Sequence, residues 1–203
     1  MRSCKVTACL AATVLALATT PGDSGAQTVL YGNAGAFTAA SGATLQTDFE
    51  SLPIGGLGNF TAGTLSFLSN GPQLYILPPF STDSSPVPSS RALAGNGDED
   101  FTVAFTSGTG HAIGFDATTN RYDMPTVQVL AENGSVLASF SAGIAPNQTG
   151  FVGIVSSIPF KGVRWVADRG YLQDAWIDNV RASASLATPA SRSTWGRLKQ
   201  LMR

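Results

Sequence analysis

The chain has 203 residues, of which 43% are hydrophobic and 12% are charged, and it contains 22 glycines. It is too apolar to be disordered and carries too little charge for a coiled coil, so the composition indicates one globular, β-rich domain. The 12 Lys and Arg residues are balanced by 13 Asp and Glu and form no basic stripe, which argues against nucleic-acid binding. A single histidine, His111, excludes a multi-histidine zinc site.

The first 26 residues have the order of a secretory signal peptide. Arg2 and Lys5 are positive, residues 8–17 are apolar, and the small residues 24–26 form a cleavage site. The apolar run is too short to cross a bilayer, and a buried first helix is the alternative interpretation. We therefore expect a secreted mature chain with no transmembrane anchor. Both cysteines lie in this segment, so export implies no disulfide framework.

The near-neutral charge of the whole chain hides two oppositely charged segments. Residues 27–181 carry six basic and twelve acidic side chains, a net charge of −6. Residues 182–203 carry four basic side chains and no acid, a net charge of +4. The sequence thus predicts a β-sandwich domain over 27–181, followed by a linker and a basic tail over 182–203.

Short apolar segments with alternating polarity recur along the body, each closed by Gly, Asn, Asp or Pro. This pattern is typical of antiparallel strands with one face in a core. About ten such strands favour an all-β fold, a two-sheet, jelly-roll-like antiparallel sandwich. The predicted strands are Thr44–Phe49, Thr64–Leu68, Gln73–Leu77, Phe101–Phe105, Ala112–Asp116, Thr126–Leu130, Val136–Phe140, Phe151–Val155, Gly162–Val166 and Ala175–Val180.

Three local features complete the predicted fold. The clearest hairpin joins Thr126–Leu130 to Val136–Phe140, because Asn133-Gly134 supplies the positive φ angles of a tight turn. Residues 34–41 favour one short helix on the flank of the sandwich. Four prolines and five serines make residues 78–90 a surface loop.

Several ordered motifs in the body carry a family resemblance. They are Thr47-Asp48-Phe49-Glu50-Ser51-Leu52-Pro53, Leu93–Asp98 leading into Phe101–Phe105, Ile113-Gly114-Phe115-Asp116, Phe151–Ile154 and Asp174–Val180. In this order they resemble exported bacterial proteins of the PEP-CTERM type, over residues 36–180. The family's Pro-Glu-Pro signal and apolar anchor are replaced here by Thr188-Pro189-Ala190 and a basic end, which favours free secretion.

The resemblance extends to carbohydrate-binding jelly rolls and implies a structural calcium ion. In those folds a Phe-Glu pair early in the sandwich and an Asp in the last strand contribute ligands, and Glu50 and Asp178 match them. Calcium takes six to eight oxygen ligands, and first and last strands often lie side by side. Further ligands are then expected from Asp48, Asp174 and Asn179. The alternative is that Glu50 and Asp178 cap loops or pair with Arg164 or Arg181.

No catalytic motif is present. The chain lacks a Gly-x-Ser-x-Gly elbow, a His-Glu-x-x-His pair and a phosphate-binding glycine loop. Nothing selects a carboxylate pair for glycoside hydrolysis. The sequence therefore predicts a protein that is not an enzyme, and an extracellular hydrolase with unassigned carboxylates is the third choice.

Aromatic side chains offer another route to function, because sugar rings stack on flat rings. Trp165 alternates with Val163 and is expected in the core. Trp176 should then be exposed or at a sheet edge. The residues expected to bind ligand are Tyr122 and Tyr171, which lie in polar loops, and Trp176. The first functional hypothesis is a non-catalytic secreted, envelope or extracellular-matrix protein that binds exopolysaccharide. The alternative is an adhesive surface protein that contacts other proteins, with the basic tail as a tether.

Overall fold

The computed structural model describes residues 27–81, 87–96, 100–120, 122, 125–167 and 175–187. Within these residues the chain forms one α-helix and fourteen β-strands. They are β1 (Thr28–Tyr31), α1 (Ala34–Ser41), β2 (Thr44–Thr47), β3 (Gly55–Leu57), β4 (Phe60–Ala62), β5 (Leu65–Ser69), β6 (Gln73–Leu77), β7 (Ala92–Asn96), β8 (Phe101–Phe105), β9 (Gly110–Thr119), β10 (Thr126–Leu130), β11 (Val136–Ser141), β12 (Gln148–Phe160), β13 (Gly162–Val166) and β14 (Ala175–Ser183). The predicted signal peptide and most of the basic tail lie outside the described residues.

The strands form two antiparallel sheets. The eight-stranded sheet has the order β1-β12-β9-β14-β7-β6-β3, and β2 pairs with β14 beside β7. The six-stranded sheet has the order β11-β10-β13-β8-β5-β4. From β7 to β10 each successive strand crosses to the other sheet, so neighbours in the chain are rarely neighbours in a sheet. The predicted two-sheet, jelly-roll-like sandwich is confirmed.

The apolar positions of the strands fill the space between the sheets. Phe101, Val103 and Phe105 of β8 all belong to one buried cluster, and so do Val163 and Trp165 of β13. The rings of Phe101 and Trp165 are stacked with their centroids 6.0 Å apart. The period-two pattern of the sequence therefore identifies the inner faces correctly.

Helix α1 covers part of the outer face of the eight-stranded sheet, as the sequence predicts. Asn33 accepts a 3.0 Å hydrogen bond from the N–H of Ala36 at the start of the helix, and Gly42 ends it with a φ of 64°. Phe37 is fully buried against Gly153 and Gly114 of the sheet. A Cβ atom on Gly153 would lie 2.5 Å from the Phe37 ring, so this close packing requires glycine.

The predicted β10–β11 hairpin is confirmed, with one difference. Leu130 pairs with Val136 and Val129 with Ala138, so Leu137 is an extra residue that forms a bulge in the edge strand. In the turn only Gly134 has a positive φ, 82°, whereas Asn133 does not. The turn is thus a five-residue loop with glycine in the left-handed position and not a two-residue Asn-Gly turn.

Candidate functional site

The outer face of the eight-stranded sheet carries a continuous line of residues across five strands. Strand register pairs Thr149 with Thr118, Thr118 with Trp176, Trp176 with Ala94 and Ala94 with Tyr75. We call these five residues the outer row. Because neighbouring strands lie about 4.8 Å apart, the outer row is about 19 Å long.

The two ends of the outer row present different chemistry. At one end the hydroxyls of Thr118 and Thr149 are hydrogen-bonded at 2.7 Å, and Thr149 is exposed. At the other end Tyr75 is 37% exposed, because its neighbours Leu74 and Ile76 point into the core. The row thus joins a pair of hydroxyls to an exposed aromatic ring.

A cleft of about 240 Å³ opens where the outer row reaches β12. Its lining includes Thr149, Gly150 and Phe151 of β12, with Gly143 and Ile144 of the preceding loop. Strand β1 pairs with β12 only from Gly153 onward, so the edge of β12 faces this cleft over residues 148–152. A Cβ atom on Gly150 would lie 3.0 Å from Ile144, so glycine keeps the cleft open at its floor.

Trp176 lies in the middle of the outer row but offers little surface to a ligand. Only 6% of it is exposed, because it packs with Leu77, Ala92 and Ala94 in a small cluster on the outer face. The expectation that either Trp165 or Trp176 is exposed or at a sheet edge is therefore wrong, since Trp165 is also buried. The reason is the topology, which places β14 between β9 and β7 inside the sheet.

A pair of carboxylates lies two residues along β9 and β14 from Thr118 and Trp176 of the outer row. Asp116 of β9 and Asp178 of β14 are directly opposite each other in the register. Asp178 is only 4% exposed, and its Oδ2 accepts a 2.5 Å hydrogen bond from the hydroxyl of Ser90. Two like charges directly opposite in a sheet repel each other, so other groups must stabilise this pair.

Asn179 supplies that stabilisation through an irregular backbone. Its φ is 50°, and the register of β14 against β9 shifts between Asp178 and Arg181. Its N–H donates to Asp178 Oδ1 at 2.6 Å, while its Nδ2 donates to Asp116 Oδ2 at 2.9 Å and to Asp178 Oδ2 at 3.3 Å. Asparagine tolerates this left-handed conformation better than most residues, and the bulge lets one amide contact both carboxylates.

Burial raises the pKa of the Asp178 carboxyl above its ordinary value. Desolvation disfavours the charged form most, and the negative charges of Asp116 and Asp48 add to the shift. The hydrogen bonds from Ser90 and Asn179 act in the opposite direction. Asp178 is therefore a carboxyl whose negative charge is disfavoured by the fold.

Glu50 does not join this carboxylate pair. Its Oε1 accepts the N–H of Arg91 at 2.9 Å, and the Arg91 guanidinium donates to the carbonyls of Glu50 and Leu52, both at 2.6 Å. Glu50 thus has an arginine partner, but the partner is Arg91 and not Arg164 or Arg181. Strand β2 does pair with β14, as expected. Glu50 contacts Arg91 and Asp178 contacts Ser90, and these two partners are neighbours in the chain.

The predicted calcium ligands are only partly brought together. Asp48 is exposed and its Oδ1 accepts the N–H of Glu50 at 3.2 Å, while Asn179 directs donors and not its oxygen at the carboxylates. Within the described residues no group of three or more Asp, Glu, His or Cys side chains is arranged to hold a metal ion. Asp174 lies outside the described residues, and the calcium ion stays a prediction.

Of the two predicted loop tyrosines, Tyr122 is described and Tyr171 is not. Tyr122 is half-buried in the connection from β9 to β10, and its N–H donates to the side chain of Asn120 at 3.0 Å. The carbonyl of Asn120 in turn accepts the N–H of Asn147, in the turn that precedes β12. Tyr122 therefore lies at the end of the sandwich where β12 begins.

Three residues of this region, Tyr75, Asp116 and Ser90, were not selected from the sequence, although Tyr75 is one of its aromatic candidates. Tyr75 and Asp116 alternate with residues of the core, so their outward direction was available from the period-two pattern. Ser90 belongs to a Pro- and Ser-rich loop, in which nothing distinguishes it from its neighbours. The pairings of β14 with β9 and β7, and of β7 with β6, bring these positions to one face.

No protein-family model matches the chain, and neither does any curated protein. Among solved structures it is similar to variants of the CBM29-2 carbohydrate-binding module, one with a TM-score of 0.36, 15% identity and coverage of 72% of this chain and 96% of the other. A structure described as carbohydrate binding module family 29 has a TM-score of 0.36, 15% identity and coverage of 78% and 90%. These similarities are too low to carry an argument. The helix of the described residues is not long and apolar enough to cross a membrane.

Proposed function

We propose that this protein is a non-catalytic, secreted β-sandwich module that binds a polysaccharide along the outer row. The observation that carries the proposal is the combination on one sheet face of an exposed aromatic ring, Tyr75, with hydroxyls and carboxylates in adjacent register. Sugar rings pack their C–H faces on aromatic rings, and their hydroxyls pair with carboxylate and hydroxyl groups. The outer row supplies both kinds of contact within about 19 Å.

The arrangement suits an extended chain that crosses the strands. One sugar would stack on Tyr75, and the chain would pass over the buried middle of the row, Ala94, Trp176 and Thr118, to the exposed Thr149, where the cleft beside β12 begins. The carboxylate of Asp116, half-buried beside this path, accepts hydrogen bonds from hydroxyl groups. Tyr122, in the loop at the same end, would extend the contact surface.

The test is the affinity of the purified mature chain for soluble polysaccharides, measured by affinity electrophoresis and by a glycan array. Replacing Tyr75 by alanine should weaken retention at least tenfold on any uncharged polysaccharide that the wild type binds. Leu137→Ala is the matched control, because Leu137 is 44% exposed but lies on the other sheet. Equal retention of both variants, or no binding by the wild type to any polysaccharide, would contradict the proposal.

The calcium ion is a separate structural element of this proposal. Its support is the pair Asp116 and Asp178, close to Asp48, on strands from both ends of the chain. The observation against the calcium ion is that Asn179 and Ser90 already donate hydrogen bonds to these carboxylates. A chelator titration followed by thermal unfolding tests it, and an unchanged melting temperature would remove the ion from the proposal.

A second candidate function is contact with other proteins in the cell envelope or matrix. It is favoured by edge strand β11, on which Val136 and Leu137 are both exposed at the bulge. An uncharged edge strand is a surface on which another strand can pair. If the Tyr75→Ala variant stays on the cell surface and the Leu137→Lys variant is lost from it, this function is favoured over polysaccharide binding.

A further inference from the structure

The outer face of the six-stranded sheet carries a second line of polar residues. Register pairs Ser139 of β11 with Gln128 of β10, Gln128 with Arg164 of β13, and Arg164 with Thr102 of β8. The line ends at Leu68 of β5, which pairs with Thr102. All of these residues alternate with residues of the core and therefore face away from it.

Arg164 differs from the other basic side chains that the structure describes. Arg91, Lys161 and Arg181 each donate to backbone carbonyl groups at 2.6–3.2 Å. Arg164 has no hydrogen bond or ion pair within the described part of the chain, and its Nε is buried without an acceptor. The buried Nε is out of reach of a ligand, so the groups that can take an acceptor from outside the chain are the two unpaired Nη groups of this half-buried side chain.

The groups around Arg164 are neutral and polar. Gln128 is half-buried, Ser139 is exposed, and Thr102 lies 3.4 Å from the side chain of Asn70. Asp100 lies two residues before Thr102, and its Oδ1 already accepts the N–H of Ala167 at 2.7 Å. An incoming anion would therefore meet one guanidinium and several hydrogen-bonding groups.

From this geometry we propose that Arg164 anchors a second ligand surface, which binds the carboxylate of an acidic, uronate-bearing polysaccharide. The planar guanidinium fits a carboxylate with two parallel hydrogen bonds, a geometry that lysine does not provide. Gln128 and Ser139 would pair with the hydroxyls of the same chain, whereas Thr102 is buried beside Asn70. This surface is distinct from the outer row and lies on the opposite side of the sandwich.

The chemistry of the face favours a sugar over an acidic peptide. A peptide interface is anchored by apolar or aromatic side chains in desolvated pockets. Here the only apolar member of the line is Leu68, which is half-buried at its end. A flat, hydroxyl- and amide-rich line instead matches a chain that offers many hydroxyls and one carboxylate per acidic unit.

The experiment compares polygalacturonate with the same polymer fully methyl-esterified, both titrated into the full mature chain. The wild type should bind the free acid at least tenfold more tightly, and the preference should shrink as salt is added. Arg164→Gln should abolish the preference. Arg164→Lys keeps the charge but loses the planar fork, so it should restore only part of it.

Controls separate the charge effect from folding and from the outer row. Lys161→Gln removes one positive charge elsewhere and should leave the preference intact, and thermal unfolding verifies that each variant is folded. Tyr75→Ala should also leave the preference intact, so failure of one surface does not imply failure of the other. An unchanged preference in Arg164→Gln, or equal binding of both polymers by the wild type, would overturn the proposal. Binding of a poly-glutamate peptide as tight as that of polygalacturonate would also overturn it, in favour of a protein partner.

Discussion

The two outer faces of the sandwich differ far more than the two inner faces. The inner faces share one apolar cluster built from both sheets. Outside, the eight-stranded sheet presents Tyr75, a covering helix and the pair Asp116 and Asp178, whereas the six-stranded sheet presents neutral polar groups around Arg164. The residues that distinguish the two faces are therefore the alternate, outward-facing residues of the strands.

The difference also concerns how each charged group is stabilised. Asp178 is buried but surrounded by donors, namely the hydroxyl of Ser90 and both N–H groups of Asn179. Arg164 is half-buried and has no acceptor within the described residues. The first arrangement is complete within the chain, while the second lacks a partner, which is why we assign an external anion to the second.

The largest effect is expected where the helix meets the eight-stranded sheet. Replacing Gly153 by alanine would place a Cβ atom 2.5 Å from the Phe37 ring and displace α1. Such overpacking costs about 1–3 kcal/mol, measured as a lower free energy of unfolding in urea. Gly32→Ala is the control, because no atom lies within 4 Å of its new Cβ, and it should change stability by less than about 0.5 kcal/mol. Equal losses in both variants would contradict the close packing of α1.

The second-largest expected effect is a loss of polysaccharide binding, and it tests whether the two outer faces bind their ligands independently. The double variant Tyr75→Ala, Arg164→Gln should lose binding to the neutral and the acidic polymer together. Each single variant should lose at least tenfold for one polymer only. Residues this far apart with no shared partner behave additively. Loss of both activities from either single variant would show one continuous site around the edge of the sandwich.

How much of the fold can be predicted from the sequence depends on which residue types form each element. Strands such as Phe101–Phe105 follow from periodicity, because burial of alternate residues leaves a strong pattern. Strand β7, with the sequence Ala92–Asn96, was read only as part of a motif, since small residues and glycine have little β-propensity. It forms because Ala94 pairs between Tyr75 and Trp176.

The candidate sites needed information that the sequence does not contain. The expectation of a Glu50–Asp178 site was correct about neighbouring strands but could not anticipate that Arg91 would bind Glu50. Arg164 was considered only as a partner for a carboxylate. Its surroundings depend on the register of β13 against β10 and β8, which lie well before it in the chain.

The smallest expected effect is a change in melting temperature. It distinguishes a bound calcium ion from a carboxylate pair that is stabilised by protein groups alone. Without a metal, Asp178→Asn should raise the melting temperature at pH 7 by about 2–4 °C, because it removes a buried charge opposite Asp116. With a bound calcium ion the same substitution should lower it, and a chelator should lower the melting temperature of the wild type. Glu132→Gln, at an exposed residue in the loop between β10 and β11, is the control for the loss of one negative charge.

The pH dependence of this variant provides the sign test. Because the folded pKa of Asp178 is raised, its protonation stabilises the native state, fully so below the ordinary pKa of aspartate. That stability is lost as the pH rises through the raised folded pKa. The advantage of Asp178→Asn should therefore be present at pH 7 and vanish as the pH falls below the ordinary aspartate range, where the wild type carries its own proton. Melting curves of both proteins from pH 3.5 to pH 7.5 would show it, and a disadvantage of the variant at pH 7 that shrank toward acid pH would mean that Asp178 is stabilised as an anion, as a metal ligand would be.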